Sequence, residues 1–143
     1  MKSKVFLGGT CGTSVWRNKL IPLLEENNIH YFNPVVKNWT SQCRAIEEYE
    51  KDNLCNIHLY VITKEMKGVY SIAEFMASCL SGKNTIFVVV NDGFDKSQIK
   101  SLMATTELAR KHTEGRNLIT HFQSEDEGFD TIVEMIKFLN KTK

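Results

Sequence analysis

The sequence lacks the marks of a membrane, secreted or metal-binding protein. No apolar run among its 143 residues approaches the roughly 20 residues that a membrane-spanning helix needs, and the N-terminus has no signal-peptide pattern. The four cysteines include no Cys-x-x-Cys pair, and the four histidines show no metal-ligand spacing. We therefore expect no bound metal, no membrane partner, four free thiols and a reducing, cytoplasmic location.

An excess of charge of one sign is also missing. Lysine and arginine total 18 and aspartate and glutamate 17, which gives a net charge of +1. Nucleic acid polymers and anionic membranes attract strongly basic surfaces, so this balance favours neither as a partner. Hydrophobic residues make up 42% of the chain and charged residues 24%, as in globular proteins. We expect a single domain that spans residues 1–143.

What the chain does contain is an apolar strand followed by a short loop and a helix. Residues 56–63 are rich in Ile, Leu, Tyr and Val, as a buried strand should be. Ser71 occupies the position of a helix N-cap, Glu74 follows at capping-box spacing, and Gly82 predicts the helix end. Glu74 is then either a helix cap or a carboxylate presented at the sheet edge where open α/β sheets bind ligands.

A glycine-rich loop follows the first predicted strand. The run Gly8-Gly-Thr-Cys-Gly-Thr-Ser14 comes directly after an apolar strand that begins at Lys4, and its backbone can approach a ligand closely. It has neither the GxGxxG spacing nor the ending of a Walker A loop. Gly8, Gly9 and Thr10 therefore either line a site or form a tight turn. Arg17 could reach a phosphate or carboxylate, or solvate a helix surface.

The remaining segments continue the alternation of helices and strands. Asn18 as N-cap would place Pro22 in the first turn of a helix, where proline is tolerated. Asn33 begins an irregular loop, in which Trp39 could stack on a base or cover the core edge. The other predicted elements are strands at 29–32, 84–90 and 117–122, and helices at 44–54, at 97 to about 112, and from 124 onward.

Five strands that alternate with five helices predict a doubly wound parallel sheet. The favoured arrangement is flavodoxin-like, with strand order 2-1-3-4-5 and helices on both faces. In that order the first and third strands are neighbours. The glycine-rich loop, the Asn33 loop and the Glu74 loop would then meet at one edge of the sheet, which predicts a ligand site there.

Several blocks of the sequence together resemble the nucleoside 2-deoxyribosyltransferase family, and most closely its short deoxyribosyltransferase-like branch. The resemblance covers roughly residues 4 to 90, and its most specific block is Gly68-Val-Tyr-Ser-Ile-Ala-Glu74. The other blocks are Phe6-Leu-Gly-Gly-Thr10, Trp16-Arg17, Tyr31-Phe-Asn-Pro-Val35 with Trp39, and Leu59-Tyr-Val-Ile-Thr63.

This resemblance implies a flavodoxin-like fold, often oligomeric, that cleaves the N-glycosidic bond of 2′-deoxynucleosides. The family's nucleophilic glutamate falls on Glu74, which would hold the sugar as a covalent intermediate. A second acid should protonate the departing base, and Glu50 or Glu47 is the expected residue. The sequence departs from well-studied members at Phe6, where they carry a tyrosine that orients the glutamate, and also at Gly68 and Asn56.

We therefore expect an enzyme that transfers the sugar of a nucleoside or nucleotide to another base or to water. The catalytic candidates are Glu74 and Glu50. The substrate-binding candidates are Gly8, Gly9, Thr10, Arg17, Asn33, Trp39, Gly68, Tyr70 and Ser71.

Two alternatives remain open. One is a binding module that senses or sequesters a nucleotide without turning it over, and the departures from the family pattern are its motivation. The other is a flavin-dependent electron carrier, which the absence of an acidic surface disfavours, so no cofactor is expected. The resemblance also allows a homo-oligomer in which a second subunit completes the pocket.

Overall fold

The structure, a computed structural model, describes residues 3–12, 14–113 and 117–141, so Thr13 of the predicted glycine-rich loop lies outside the described residues. Strands and helices alternate throughout this part of the chain. The elements are β1 Lys4–Gly9, α1 Trp16–Glu26, β2 His30–Phe32, α2 Ser41–Tyr49 with a π-helical turn Glu50–Leu54 (the π turn), β3 Ile57–Ile62, α3 Tyr70–Leu80, β4 Asn84–Val90, α4 Lys96–Thr113, β5 Leu118–Phe122 and α5 Phe129–Lys141.

The five strands form one parallel sheet in the order β2-β1-β3-β4-β5, as predicted. β1 lies between β2 and β3, and its residues Leu7 and Gly9 pair with Leu59 and Val61 of β3. The carboxyl ends of β1 and β3 are therefore neighbours. This is the switch point at which open α/β sheets bind ligands.

Helices cover both faces of the sheet, which confirms the flavodoxin-like architecture. One core packs α1 and α5 against alternate residues of the central strands. The other packs α3 and α4 against the opposite face, with Phe75 and Phe87 stacked at a centroid distance of 3.9 Å. Both faces of β3 are buried over its full length, as expected for a central parallel strand. No helix among the described residues is both long and apolar enough to cross a membrane.

The predicted start of α1 is wrong. The helix begins at Trp16 with Val15 as its N-cap, so Pro22 lies inside it and not in its first turn. Trp16 is fully buried, and its Nε1 donates a hydrogen bond to the carbonyl oxygen of Thr10 at 2.9 Å. This tertiary contact draws the helix start three residues toward the N-terminus, from an N-cap at Asn18 to one at Val15. Pro22 and Asn18 are both exposed, so water can hydrate the carbonyl that Pro22 leaves without a helical partner.

The predicted capping box of α3 is also wrong. The helix begins at Tyr70 with Val69 as its N-cap, and no side chain caps it. Ser71 therefore lies within the first turn. Glu74 turns inward and is buried, because it forms an ion pair with Lys51 from the π turn. Of the two interpretations of Glu74, the structure excludes the helix cap.

Candidate active site

A cavity of about 680 Å³ lies at the carboxyl edge of β1 and β3. It is bounded by the glycine-rich loop, the loop after β2, the loop before α3 and the inner face of α2. Nine of the eleven predicted site residues line it, and Asn33 and Glu50 do not. Those nine are Gly8, Gly9, Thr10, Arg17, Trp39, Gly68, Tyr70, Ser71 and Glu74. The predicted convergence of three loops at this edge is what the structure has.

The neighbouring strand β3 requires glycine at positions 8 and 9 of the loop. A Cβ on Gly9, which has φ +116°, would lie 2.2 Å from the carbonyl oxygen of Val61. Thr10 binds β3 twice: its N–H donates to the Val61 oxygen at 2.9 Å, and its Oγ1 accepts from the Thr63 N–H at 2.9 Å. The close backbone approach predicted for this loop is therefore to β3. Residues 8–12 of the loop form one wall of the cavity.

Arg17 holds the same loop from the side of α1. Its guanidinium donates hydrogen bonds to the carbonyl oxygens of Leu7 at 3.0 Å, Thr10 at 2.8 Å and Gly9 at 3.3 Å. It also stacks over the ring of Trp16 at 4.4 Å. The side chain is buried, so the sequence interpretation of a solvated arginine does not fit. These bonds commit three of its five N–H donors to the loop, so Arg17 holds the loop in place on the wall of the cavity.

Glu74 is the buried carboxylate of the cavity. Its Oε2 lies 2.6 Å from the Nζ of Lys51, and the two side chains are only 8% and 13% exposed. Within the described part of the chain, Oε1 has no hydrogen-bond partner. One oxygen is therefore fixed by a cation while the other is free to meet a ligand.

Lys51 was not among the candidates from sequence. Burial alone would lower its pKa, but the hydrogen bond and the charge of Glu74 outweigh burial, and the pKa of Lys51 is raised. Its ammonium also lies 5.5 Å from the ring centroid of Phe6 and 6.0 Å from that of Tyr70. A lysine in a charged helix has no sequence signal that sets it apart, because its neighbours in the sequence are also charged.

Two further carboxylates line the cavity, Glu47 and Glu65. Glu65 accepts a hydrogen bond from Oγ1 of Thr63 at 2.9 Å. Glu47 lies on α2 one helical turn before Lys51 and is half-buried. Its pKa is raised, first by burial and then by the negative charge of Glu74. A carboxyl group with a raised pKa beside a second carboxylate is the usual arrangement of a proton donor and its partner.

Two predicted site residues have other partners. Glu50 forms an ion pair with Lys4 at the start of β1, which is the amino edge of the sheet, opposite the cavity. Asn33 accepts a hydrogen bond from the backbone N–H of Val35 at 3.1 Å and so shapes the loop after β2. Their side chains therefore stabilise the loop after β2 and the start of β1. Of the two second acids that the sequence left open, only Glu47 lines the cavity.

The outer wall of the cavity is apolar and open. Trp39 is 51% exposed and Tyr70 is 58% exposed, and both line it together with Val35, Val36 and Met66. Trp39 therefore does not cover the core edge. Planar and branched apolar side chains of this kind provide a surface on which a nucleobase can stack.

Metal ligands are sparse in the described ranges. No group of three or more His, Cys, Asp or Glu residues in them is placed to hold a metal ion. All four cysteines are free. Cys55 and Cys79 are buried, which raises the pKa of their thiols to about 12 and about 11.

The fold and this cavity define a flavodoxin-like α/β protein with a buried carboxylate at the switch point of its sheet. The family model described as nucleoside 2-deoxyribosyltransferase like matches residues 2–94, about two thirds of the 143-residue chain. The chain therefore belongs to the nucleoside 2-deoxyribosyltransferase-like family. The matched segment contains β1 to β4 and every residue that lines the cavity. A comparison with curated proteins finds no match. Membership favours a deoxyribosyltransferase-like enzyme that binds a nucleoside.

Proposed function

We propose that the protein cleaves the N-glycosidic bond of a nucleoside or nucleotide and holds the sugar on Glu74 as a covalent intermediate. The observation that carries this proposal is a buried carboxylate on the wall of a cavity large enough for a nucleoside. Lys51 fixes one of its oxygens, and the other has no partner among the residues that the structure describes.

In the first step, a carboxylate oxygen of Glu74 forms a bond to the anomeric carbon of the sugar. The bond from that carbon to the base nitrogen breaks, and its electron pair stays on the nitrogen. Glu47 donates a proton to the departing base, a role for which a carboxyl group with a raised pKa is suited. The negative charge of Glu74 stabilises the oxocarbenium-like transition state, and Lys51 keeps the carboxylate in place.

In the second step, the acceptor attacks the anomeric carbon and the ester bond to Glu74 breaks. A nitrogen of a second base acts as acceptor in a transferase, and a water oxygen acts in a hydrolase. Glu47, now a carboxylate, takes the proton that the acceptor loses. Glu74 is then again a carboxylate and Glu47 again carries a proton, so both are ready for another cycle.

A second candidate function is a nucleotide-binding module without turnover. The ion pair at 2.6 Å favours it, because a carboxylate held by an ammonium is a weaker nucleophile than a free one. The loss of the family's tyrosine hydroxyl at Phe6 points in the same direction. This candidate predicts binding of the same ligands with no product.

The test is incubation with 2′-deoxynucleosides, ribonucleosides and their 5′-monophosphates, with and without a second free base, and chromatography of the bases. Exchange that needs the second base indicates a transferase, and base release without it indicates a hydrolase. Glu74→Gln should abolish either reaction. Full turnover by that variant would refute the covalent mechanism. A ligand that raises the Tm of the unmodified protein but is not turned over would favour the binding module.

The identity of the second acid is tested by a matched pair of variants. Glu47→Gln should lower base release by roughly 10²- to 10⁴-fold, the usual contribution of general acid–base catalysis. Glu50→Gln should not, because Glu50 is bound to Lys4 away from the cavity. The reverse order of effects would assign the acid to Glu50.

A further inference from the structure

A buried histidine lies directly behind the ion pair, outside the proposed reaction. His58 on β3 is 2% exposed and lines a second cavity of about 390 Å³, which shares Glu74 and Tyr70 with the first. Its Nε2 lies 2.7 Å from the carbonyl oxygen of Lys51 and 3.3 Å from that of Cys55. Carbonyl oxygens only accept hydrogen bonds, so Nε2 must carry a proton.

The other ring nitrogen connects His58 to α3. Nδ1 lies 2.8 Å from Oγ of Ser78, and that oxygen lies 2.7 Å from the hydroxyl of Tyr60. Burial lowers the pKa of His58, which favours the neutral ring. In a neutral ring with Nε2 protonated, Nδ1 accepts from Ser78, and Ser78 in turn accepts from Tyr60. The hydrogen bonds therefore run in one direction, from Tyr60 to the Lys51 carbonyl.

The π turn explains why the carbonyl of Lys51 is available to His58. In an α-helix, the N–H of Cys55 would donate to the carbonyl of Lys51, four residues earlier. Here it donates to the carbonyl of Glu50 at 2.7 Å. The shift by one residue leaves the Lys51 carbonyl without its helical donor, and the imidazole Nε2–H takes that place. Single π-helical turns of this kind occur frequently at functional sites.

His58 thus joins the two segments that carry the ion pair. On one side it binds the backbone of Lys51 itself. On the other it binds Ser78, which lies one helical turn after Glu74 on the same face of α3. We propose that His58 is a positioning residue: its Nε2–H fixes the π turn, and thereby sets where the ammonium of Lys51 stands and how Glu74 faces the cavity. This inference rests on the proposed role of Glu74.

Two amide replacements separate the two hydrogen bonds of the imidazole. The side-chain nitrogen of glutamine is as far from the backbone as Nε2, so His58→Gln can still donate to the Lys51 carbonyl. The asparagine amide corresponds to Nδ1, so His58→Asn can still bind Ser78 but not Lys51. We expect His58→Asn to lower kcat by about 10²-fold, because misplacement of a reacting group by about 1 Å has that effect. His58→Gln should retain most of the kcat of the unmodified protein.

The kinetic signature distinguishes positioning from a general loss of stability. Misplaced catalytic groups lower kcat and kcat/KM together and leave KM nearly unchanged. The matched control is His121→Asn, which changes a half-buried histidine on β5 whose Nδ1 lies 3.1 Å from Oδ1 of Asn91. That variant should keep its kcat. Equal losses in His58→Asn and His58→Gln would overturn the proposal.

A stability measurement keeps the test independent of turnover. If His58 places Lys51, the effects of His58→Asn and Lys51→Met on the free energy of unfolding should not add, and additive effects would overturn the proposal even if no substrate is turned over. If His58→Asn does not fold, His58→Gln and Ser78→Ala carry the test, since both remove the hydrogen bond to Nδ1 and keep a donor to the Lys51 carbonyl. Both should then keep most of kcat, and a loss of about 10²-fold in either would refute the role assigned to Nε2–H. Absence of turnover in the unmodified protein, together with non-additive stabilities, would refute the proposed function alone.

Discussion

The ion pair between Lys51 and Glu74 should dominate the local stability of the site, and a double-mutant cycle measures it. The two charged atoms are 2.6 Å apart and the side chains are 13% and 8% exposed. At an effective dielectric constant of about 20, the attraction is roughly 6 kcal/mol. Desolvation of both groups offsets much of it, yet removal of one partner from a buried pair costs about 3 to 5 kcal/mol.

The cycle uses Lys51→Met and Glu74→Gln, which keep the shape of each side chain. Lys51→Met should lower the free energy of unfolding by about 3 kcal/mol, because the buried carboxylate loses its partner. Glu74→Gln should lower it by less, about 1 to 2 kcal/mol, because Lys51 also interacts with Glu47 and can extend toward the cavity. The double variant should be no less stable than Lys51→Met.

The assay is urea denaturation of the four proteins at pH 7, followed by circular dichroism. The expected coupling energy is about 2 kcal/mol. If the two single effects add to within about 0.5 kcal/mol, the pair carries no energy in solution. Such additivity would refute the role of Lys51 in fixing the carboxylate of Glu74.

Three further predictions follow from the contacts around the cavity. Gly9→Ala should lower the free energy of unfolding by more than about 3 kcal/mol, because its Cβ would collide with the backbone of Val61. The control is Gly68→Ala, whose Cβ would meet no atom within 4 Å and which should keep the Tm unchanged. Glu47→Gln should raise the Tm at pH 7. The pKa of Glu47 is raised in the folded state, so the protein loses stability as pH rises from the ordinary glutamate pKa through the raised value, and glutamine removes that loss. Below about pH 4 that gain should vanish, as thermal melts across pH can check. Arg17→Lys should destabilise the protein by about 2 kcal/mol through lost bonds to the loop carbonyls, while the ratio of kcat/KM values for a nucleoside and its monophosphate stays constant; a selective loss with the monophosphate would show a phosphate contact.

The fold and the place of the site follow from patterns that act over short distances. Apolar runs such as residues 84–90 and the glycine-rich loop identify strands and their ends. The sheet order then brings the loops after β1, β2 and β3 to one edge. These steps need only local propensity and the rules of parallel sheets, so Glu74 and the glycine-rich loop could be found without coordinates.

The errors arise where tertiary contacts override local preference. Burial of Trp16 moves the start of α1, and the attraction of Lys51 turns Glu74 away from the helix cap. Lys51 itself could not be identified, since it is one of many charged residues in its helix and no local pattern marks the one that pairs with Glu74. Glu47 and Lys51 are four residues apart and so share one helical face, whereas Glu50 pairs with Lys4.

The three departures from the family pattern have different structural meanings. Asn56 lies at the amino edge of the sheet, where its Oδ1 accepts a hydrogen bond from the Lys4 N–H at 2.9 Å, so it bears on the start of β1 and not on the site. Gly68 leaves open space on the cavity wall. Phe6 is the departure that touches the chemistry, because its ring lies 5.5 Å from the ammonium of Lys51. A phenyl face attracts a cation but cannot bind a carboxylate. The resemblance implies that a tyrosine hydroxyl at this position orients the glutamate in other members. In this chain, a lysine held between an aromatic face and the carboxylate is suited to the same task.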